Sequence, residues 1–293
     1  MNKNKAVISR LEGGLGNQMF QYAIARSLSI KLDCPLKLDT SWFIDQLDRK
    51  YALDEFSFSF ETVLETEKPP SKIKNKLDRI RGRFLKPKKM GVPLFMEKHF
   101  QVNDDFFNIK EPVYLQGYWQ SELYFKEIES QIRKDFCLEN QLTEDRQKIA
   151  NEIQAENSIS VHVRRGDYIT NPSANKHHGT CPSDWYHSMM QKMAEQKKAP
   201  VFFIFSDDPE WAKSNLPNHW PCHFIQPSSD GKDQQDMALM SACNHHIIAN
   251  SSFSWWGAWL NPNEDKTVFA PKKWFANKSL NVEDLIPSGW ERF

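Results

Sequence analysis

Along this chain, short apolar runs that stop in polar or glycine-rich turns alternate with stretches of helical periodicity. Residues 6–11 form a buried-strand candidate, followed by the turn Glu12-Gly13-Gly14-Leu15-Gly16-Asn17-Gln18. A helix is predicted over about 18–32, because Phe20, Ala23, Ile24 and Leu28 recur at helical spacing, and a second strand over 35–39. Strand, glycine loop, helix and strand make the opening half of a Rossmann-like sheet. Further on, the pattern predicts a strand over 113–120 and helices over 121–136 and 144–155. It then alternates regularly, with strands at 159–163, 201–205, 246–249 and 267–270 and helices at 182–197, 233–243 and 253–260. Strands separated by helices imply parallel sheets in an α/β protein. The polar segment 137–143 is the candidate boundary between an N-terminal domain, 1–140, and a C-terminal one, 141–293.

Three C-terminal strands end in polar groups: His162-Val163-Arg164-Arg165-Gly166-Asp167, Ser206-Asp207-Asp208 and Asn250-Ser251-Ser252-Phe253. Ligands of open α/β sheets sit beyond the carboxyl ends of the strands, so these endings converge on one candidate site. An arginine fork suits phosphate oxygens because it donates two parallel hydrogen bonds and keeps its proton. A helix starting at Ser251-Ser252 offers unsatisfied N–H groups to an anion, so Arg164 and that helix would hold a diphosphate between them. The bland alternative is a surface turn in which Arg165 and Asp167 form an ion pair. In the glycine loop, Gly14 and Gly16 are followed by Met19 where a dinucleotide fingerprint has its third glycine. That loop either lets a ligand approach, with the Asn17 and Gln18 amides at a helix N-terminus, or is a tight turn alone. Trp42, Trp119, Trp255, Trp256 and Trp259 are candidates for sugar-stacking faces, although Trp255 and Trp259 at helical spacing fit core packing better.

Composition narrows the classes. At 293 residues the chain can bury a large core, and with Lys+Arg equal to Asp+Glu its net charge is zero, so no general nucleic-acid affinity is implied. Five scattered cysteines without a Cys-x-x-Cys pair fit reduced thiols. His177 and His178 beside Cys181, and Cys243 with His245 and His246, lack metal-ligand spacing and read as structural. No signal-peptide core or membrane-length apolar window is seen, so a cytoplasmic protein is expected. Between Lys68 and Lys89 basic residues crowd together. They form either a solvated face or a peripheral contact with anionic lipid at the inner membrane, worth about 1 kcal/mol per residue.

Four segments taken together resemble the bacterial α-1,2-fucosyltransferases of glycosyltransferase family 11. They are Gly13-Gly14-Leu15-Gly16-Asn17-Gln18-Met19-Phe20-Gln21-Tyr22, His162-Val163-Arg164-Arg165-Gly166-Asp167-Tyr168, Phe205-Ser206-Asp207-Asp208 and Asn250-Ser251-Ser252-Phe253-Ser254-Trp255-Trp256. The stretch from Leu115 to Glu122, with Trp119 and Gln120 as acceptor-side candidates, is also similar. The resemblance implies a GT-B-like fold, two Rossmann-like domains with a central cleft, and inverting transfer of L-fucose from GDP-β-L-fucose to the 2-hydroxyl of a terminal galactose. It implies no metal, in keeping with the lack of an Asp-x-Asp pair, and a galactose-terminated or lipid-linked glycan as acceptor, as in O-antigen synthesis. By the same resemblance Arg164 meets the β-phosphate, Asn17 lies near the reacting centre, Ser251, Ser252 and Phe253 contact the diphosphate, and Asp236 with His162 reads guanine. Gly14, Gly16, Arg165, Asp167, Ser206 and Asp207 complete the donor-side candidates. The acceptor of the hydroxyl proton is left open between Asp39, Glu12 and water. A fucosyltransferase of other linkage, or a glycan-binding module without turnover, are the alternatives.

Overall fold

The computed structural model describes residues 5–64, 67–68, 92–166, 169, 179–228, 231–277 and 280–293. Asp167, the segment with His177 and His178, and all of the basic run beyond Lys68 lie outside the described residues. The chain forms two compact units, Met1–Asp54 with Phe58–Asp135, and Glu55–Ser57 with Phe136–Phe293. Each unit is built on a parallel sheet, and the architecture is GT-B-like.

In the N-terminal unit the strand order is β3-β2-β1-β5-β4, with β1 Val7–Arg10, β2 Leu36–Asp39, β3 Glu61–Thr62, β4 Leu94–Met96 and β5 Tyr114–Gln116. Helix α1, Leu15–Leu32, follows β1 through the glycine turn. Gly13 has φ +80°, a conformation that favours glycine, and a Cβ there would lie 2.7 Å from Asn17 Nδ2. The helix expected over 121–136 is instead two 3₁₀ turns, Glu122–Tyr124 and Lys126–Ile128, leading into α2, Glu129–Asp135. Phe125, at φ −136° and ψ 10°, leaves helical geometry. The adjacent rings of Tyr124 and Phe125 are both buried at this break.

The C-terminal unit has a six-stranded parallel sheet in the order β11-β10-β9-β6-β7-β8. Its strands are β6 Asn157–Val163, β7 Pro200–Ser206, β8 Cys222–Ile225, β9 His245–Ile247, β10 Val268–Ala270 and β11 Glu291–Arg292. The flanking helices are α3 Glu144–Ala155, α4 Ser183–Gln196, α5 Pro209–Asn215, α6 Asp233–Ala242 and α7 Ser252–Leu260. Strand β8 and helix α5 were not expected from the pattern, although Asp208-Pro209 is a cap-and-first-turn signal and Asp208 Oδ1 does accept the Trp211 N–H at 3.2 Å.

Side chains of β7 alternate between the two faces of the sheet: Phe202 and Ile204 join the core with α4, while Val201, Phe203 and Phe205 join the core with α6. Strand β6 is more particular. Ile159, Val161 and Val163 are on the first face, and Ser158, Ser160 and His162 are on the second, all buried. Trp255, Trp256 and Trp259 are at most 3% exposed, so they are core residues, with Trp255 Nε1 donating to the Leu285 carbonyl at 2.8 Å. No described helix is long and apolar enough to cross a membrane.

Candidate functional site

Because β6 lies between β7 and β9, the three polar strand ends are neighbours. The buried polar face of β6 shows which of its groups is unusual. Ser158 Oγ donates to Asn244 Oδ1 at 2.9 Å, and Ser160 Oγ meets His246 Nδ1 at 2.7 Å. His246 Nε2 is in turn 2.7 Å from Asn261 Nδ2. His162, one step further toward the strand end, is 4% exposed, and its Nδ1 is buried with no hydrogen-bond partner. Its ring packs on Phe253 with centroids 5.4 Å apart. A buried polar atom left unpaired at a strand end points to a ligand group that completes it. Burial, with the positive charge of Arg164 as a second cause, pushes the His162 pKa down to about 3, so the ring is neutral.

His162 and Arg164 line one pocket together with Phe205, Ser206, Asp207, Asp236 and Phe253. Asp207 organises its charged end: Oδ2 is 2.9 Å from Arg164 Nη1, and Oδ1 accepts the Arg165 N–H at 2.8 Å. Gly166 belongs to the same grip, because a Cβ there would lie 2.6 Å from Asp207 Oδ2. Ser206 Oγ accepts the Asp208 N–H at 2.9 Å and sets the turn. Arg165 is turned aside, with its guanidinium 4.0 Å from the Trp211 ring centre and its Nε 3.2 Å from Asp208 Oδ2. These contacts engage the Arg165 side chain with α5 and its N-cap. Beside the pocket, Ser251 precedes α7 in an extended conformation and makes no side-chain cap bond, so the start of the helix relies on other acceptors. Phe253 reaches the pocket lining; Ser251 and Ser252 do not. Asn250 is consumed structurally, donating to the Gly179 and Trp274 carbonyls at 3.1 Å each.

The N-terminal unit presents a second polar group at the ends of β1, β2, β4 and β5. Asn17 Oδ1 accepts from Gln120 Nε2 at 2.6 Å. Gln18 is not available to a ligand: its side chain donates to the Gly13 and Lys50 carbonyls at 3.0 and 2.9 Å and accepts the Ala52 N–H at 2.9 Å. Trp119 is fully buried, stacked on Phe95 and edge-on to Tyr124, so its ring is core and presents no sugar-binding face. Gly14 and Gly16 shape the start of α1, with Gly14 as its N-cap and Gly16 buried. Asp39 is 3% exposed, and its carboxylate accepts from the Ser41 N–H at 3.0 Å and from Tyr114 OH at 2.6 Å, with Lys68 Nζ 3.9 Å away. Burial alone would raise its pKa, but these partners outweigh burial and lower it, which makes Asp39 a weak base. Glu12 differs: burial raises its pKa against the opposing charge of Arg10, 3.4 Å away.

Sequence reasoning missed Glu97. It follows the unrecognised strand β4, and its two carboxylate oxygens accept the N–H groups of Tyr118 and Trp119 at 2.7 and 2.9 Å. Burial raises its pKa, the two N–H groups lower it, and the charge of Glu12 raises it. Reading β4 as a strand ending in a carboxylate would have brought Glu97 into view.

The two most buried rings have a measurable consequence. His246 is also held to about 3, by burial first and then by Lys266 and His245. A histidine depressed in the folded state stabilises the fold above its unfolded pKa, and this is lost as pH falls toward the folded value. Between pH 6.5 and pH 5, stability should therefore drop by up to about 4 kcal/mol for His162 and His246 together, at about 1.4 kcal/mol per pH unit each. The raised carboxyl of Glu97 works in the opposite direction. Urea midpoints at the two pH values check this, and equal midpoints would contradict the neutral rings.

Among the described residues no three His, Cys, Asp or Glu side chains are grouped to hold a metal ion. The sequence matches the profile of glycosyl transferase family 11 over residues 3–292. It is 36% identical to an alpha-1,2-colitosyltransferase of Escherichia coli, covering 98% of each chain. It is also 36% identical to the O-antigen biosynthesis glycosyltransferase WbnK of Escherichia coli, covering 96% of this chain and 98% of that one. Human galactoside alpha-(1,2)-fucosyltransferase 1 is 26% identical over 56% of this chain and 48% of its own. Among solved structures, a point mutant of Arabidopsis thaliana FUT1 in complex with GDP has a TM-score of 0.51 at 13% identity, covering 97% of this chain and 74% of that one. Fucosyltransferase NodZ from Bradyrhizobium has a TM-score of 0.50 at 14% identity, covering 89% of this chain and 94% of that one. At these identities the two structures speak to the fold alone.

Proposed function

The chain belongs to glycosyl transferase family 11, and from that premise we propose that it transfers L-fucose from GDP-β-L-fucose to the 2-hydroxyl of a terminal galactose, with inversion, in the synthesis of an O-antigen or related surface glycan. The observation that carries the donor half is one pocket holding the Asp207-gripped Arg164 beside the neutral, unpaired His162 and the carboxylate of Asp236. Guanine presents N–H donors to a carboxylate and acceptors to an imidazole N–H, so Asp236 and His162 match its edge. Arg164 then meets the β-phosphate, and the start of α7 carries the rest of the diphosphate charge. As the bond to the sugar breaks, negative charge grows on the departing GDP, and a guanidinium already in place lowers that barrier without reorganising. Leaving-group charge met in this way requires no metal. Inversion in one displacement calls for a base for the acceptor hydroxyl; Glu12, with its raised pKa, suits that task better than Asp39. Asn17, its Oδ1 already bound by Gln120, offers its amide N–H side to substrate.

The 36% identity to an alpha-1,2-colitosyltransferase favours a second donor, colitose, which is L-fucose without its 3-hydroxyl. A site that hydrogen-bonds that hydroxyl rejects its absence strongly, whereas one that merely accommodates it accepts both sugars. Parallel assays of GDP-fucose and GDP-colitose with lactose, N-acetyllactosamine and Galβ1-3GalNAc, with linkage analysis of the product, decide the donor and acceptor. Full activity is expected in excess EDTA. Loss of activity in EDTA that magnesium restores would reject the metal-free mechanism, and no transfer to any galactoside would reject the acceptor assignment.

A further inference from the structure

Arg146 belongs to none of the motif segments, and it does not line the donor pocket. It is nevertheless only 7% exposed, on α3, and an arginine is rarely so buried without a task. Its Nη2 reaches the first turn of α6, 3.1 Å from Asp236 Oδ1, and donates at 2.8 Å to the carbonyl of Gln226. The preceding residue of α6, Gln235, binds the start of α3: its Oε1 accepts from the N–H and Oγ1 of Thr143, the N-cap of α3, at 3.1 and 3.2 Å. Thus α3 grips α6 at two successive residues, once through a neutral amide that holds the backbone and once through a guanidinium that holds a side chain. Asp236 lines the donor pocket together with His162.

We infer that Arg146 is a positioning residue for donor selectivity: by fixing the rotation of the Asp236 carboxylate from behind the pocket, it sets the preference for a guanine base over other nucleobases. The inference rests on the reading of Asp236 as the guanine-side contact. A carboxylate rotates about its Cβ–Cγ bond, and both oxygens must lie in the plane of the base to accept N1–H and the 2-amino group together. The Arg146 guanidinium, anchored at the Gln226 carbonyl and 3.1 Å from Oδ1 without a hydrogen bond to it, draws that oxygen by charge and so favours one rotation of the carboxylate. Hypoxanthine is guanine without the 2-amino group, so the ratio of GDP to IDP affinity reads the orientation of the carboxylate, while the diphosphate contacts cancel.

The test is calorimetric titration of the whole protein with GDP and with IDP. The unsubstituted protein should prefer GDP about tenfold or more, as one charge-assisted hydrogen bond gives. Arg146→Met should reduce that ratio to about 2, with kcat at saturating GDP-sugar held within about threefold because Arg164 is untouched. Arg146→Lys, which retains a cation but reaches both partners less well, should fall between the two; it carries the test if the Met variant fails to fold. Equal weakening of GDP and IDP by Arg146→Met, or by Arg146→Lys in its place, with the ratio preserved, would show a merely structural residue and overturn the inference. Asp236→Asn separates the underlying reading. A collapsed ratio in Asp236→Asn with an intact one in the Arg146 variant overturns the inference alone, whereas an unchanged ratio in Asp236→Asn overturns the guanine assignment and the inference with it.

Discussion

Replacing Arg164 with alanine is expected to lower kcat/KM about 100- to 1000-fold while the protein remains folded, the loss typical of removing one preorganised donor from developing charge. The stability cost should be small. The Arg164 and Asp207 side chains are each 24% exposed, and a partly exposed ion pair contributes about 1 kcal/mol at most. Asp207 also keeps its bond from the Arg165 N–H, so the turn survives the substitution. Arg164→Lys should recover part of the rate, because a point charge still attracts phosphate but cannot span two oxygens. Steady-state kinetics with thermal unfolding of the same samples checks the prediction. Near-normal turnover in a folded Arg164→Ala protein would remove Arg164 from the mechanism.

The second large effect is on stability. Glu97→Ala removes the acceptor of two N–H groups, and the turn it holds contains Trp119 at φ +56°, a left-handed conformation that costs about 1–3 kcal/mol for a non-glycine residue. The Tyr118 N–H is exposed and is met by water once Glu97 is gone, while the orphaned, part-buried Trp119 N–H costs roughly 1–3 kcal/mol, so a loss of about 2 kcal/mol is expected, with a fall in Tm of roughly 5 °C. Gly117 is tied to the same contact, since a Cβ there would collide with Glu97 Cβ. Glu97→Gln retains one acceptor oxygen and should lose about half as much. Activity should fall beyond the stability loss, because Gln120, next to the released turn, holds Asn17. Calorimetric melting of the three proteins decides it, and a shift of the alanine variant under about 2 °C would show that Glu97 does not hold the turn.

Much of the C-terminal unit was legible from local pattern. The strand at 201–205 is read correctly because, buried on both faces, it is a continuous apolar run, the strand at 159–163 because Ile159, Val161 and Val163 alternate with Ser160 and His162, and the helix at 182–197 because Tyr186, Met189, Met190 and Met193 recur at helical spacing. The N-terminal unit was harder to read after residue 39. Its strands β3 and β4 are two and three residues long, and such short pieces carry no periodicity to detect, whereas β5 falls within the strand expected over 113–120. The helix expected over 121–136 is α-helical only over Glu129–Asp135, because Phe125 leaves helical geometry between two short 3₁₀ turns.

The sequence by itself determined the class of protein, two parallel α/β sheets with polar strand ends, and the identity of the motif residues from Asn17 to Phe253. It did so because apolar runs, glycine turns and helix caps act over a few residues. What the tertiary structure decided is the division of labour among those residues. Arg164 and Arg165 are adjacent and chemically identical, yet Asp207 aims the first at the pocket while Trp211 and Asp208 turn the second away. Among three buried polar side chains on one face of β6, only His162 is left with an unpaired atom. Asp39 and Glu12 are both carboxylates at strand ends, yet hydrogen bonds and Lys68 outweigh burial and lower the pKa of the first, while burial outweighs Arg10 and raises that of the second. Each distinction depends on which strand lies beside which, and strand order is set by contacts between residues far apart in the chain, which no local pattern encodes.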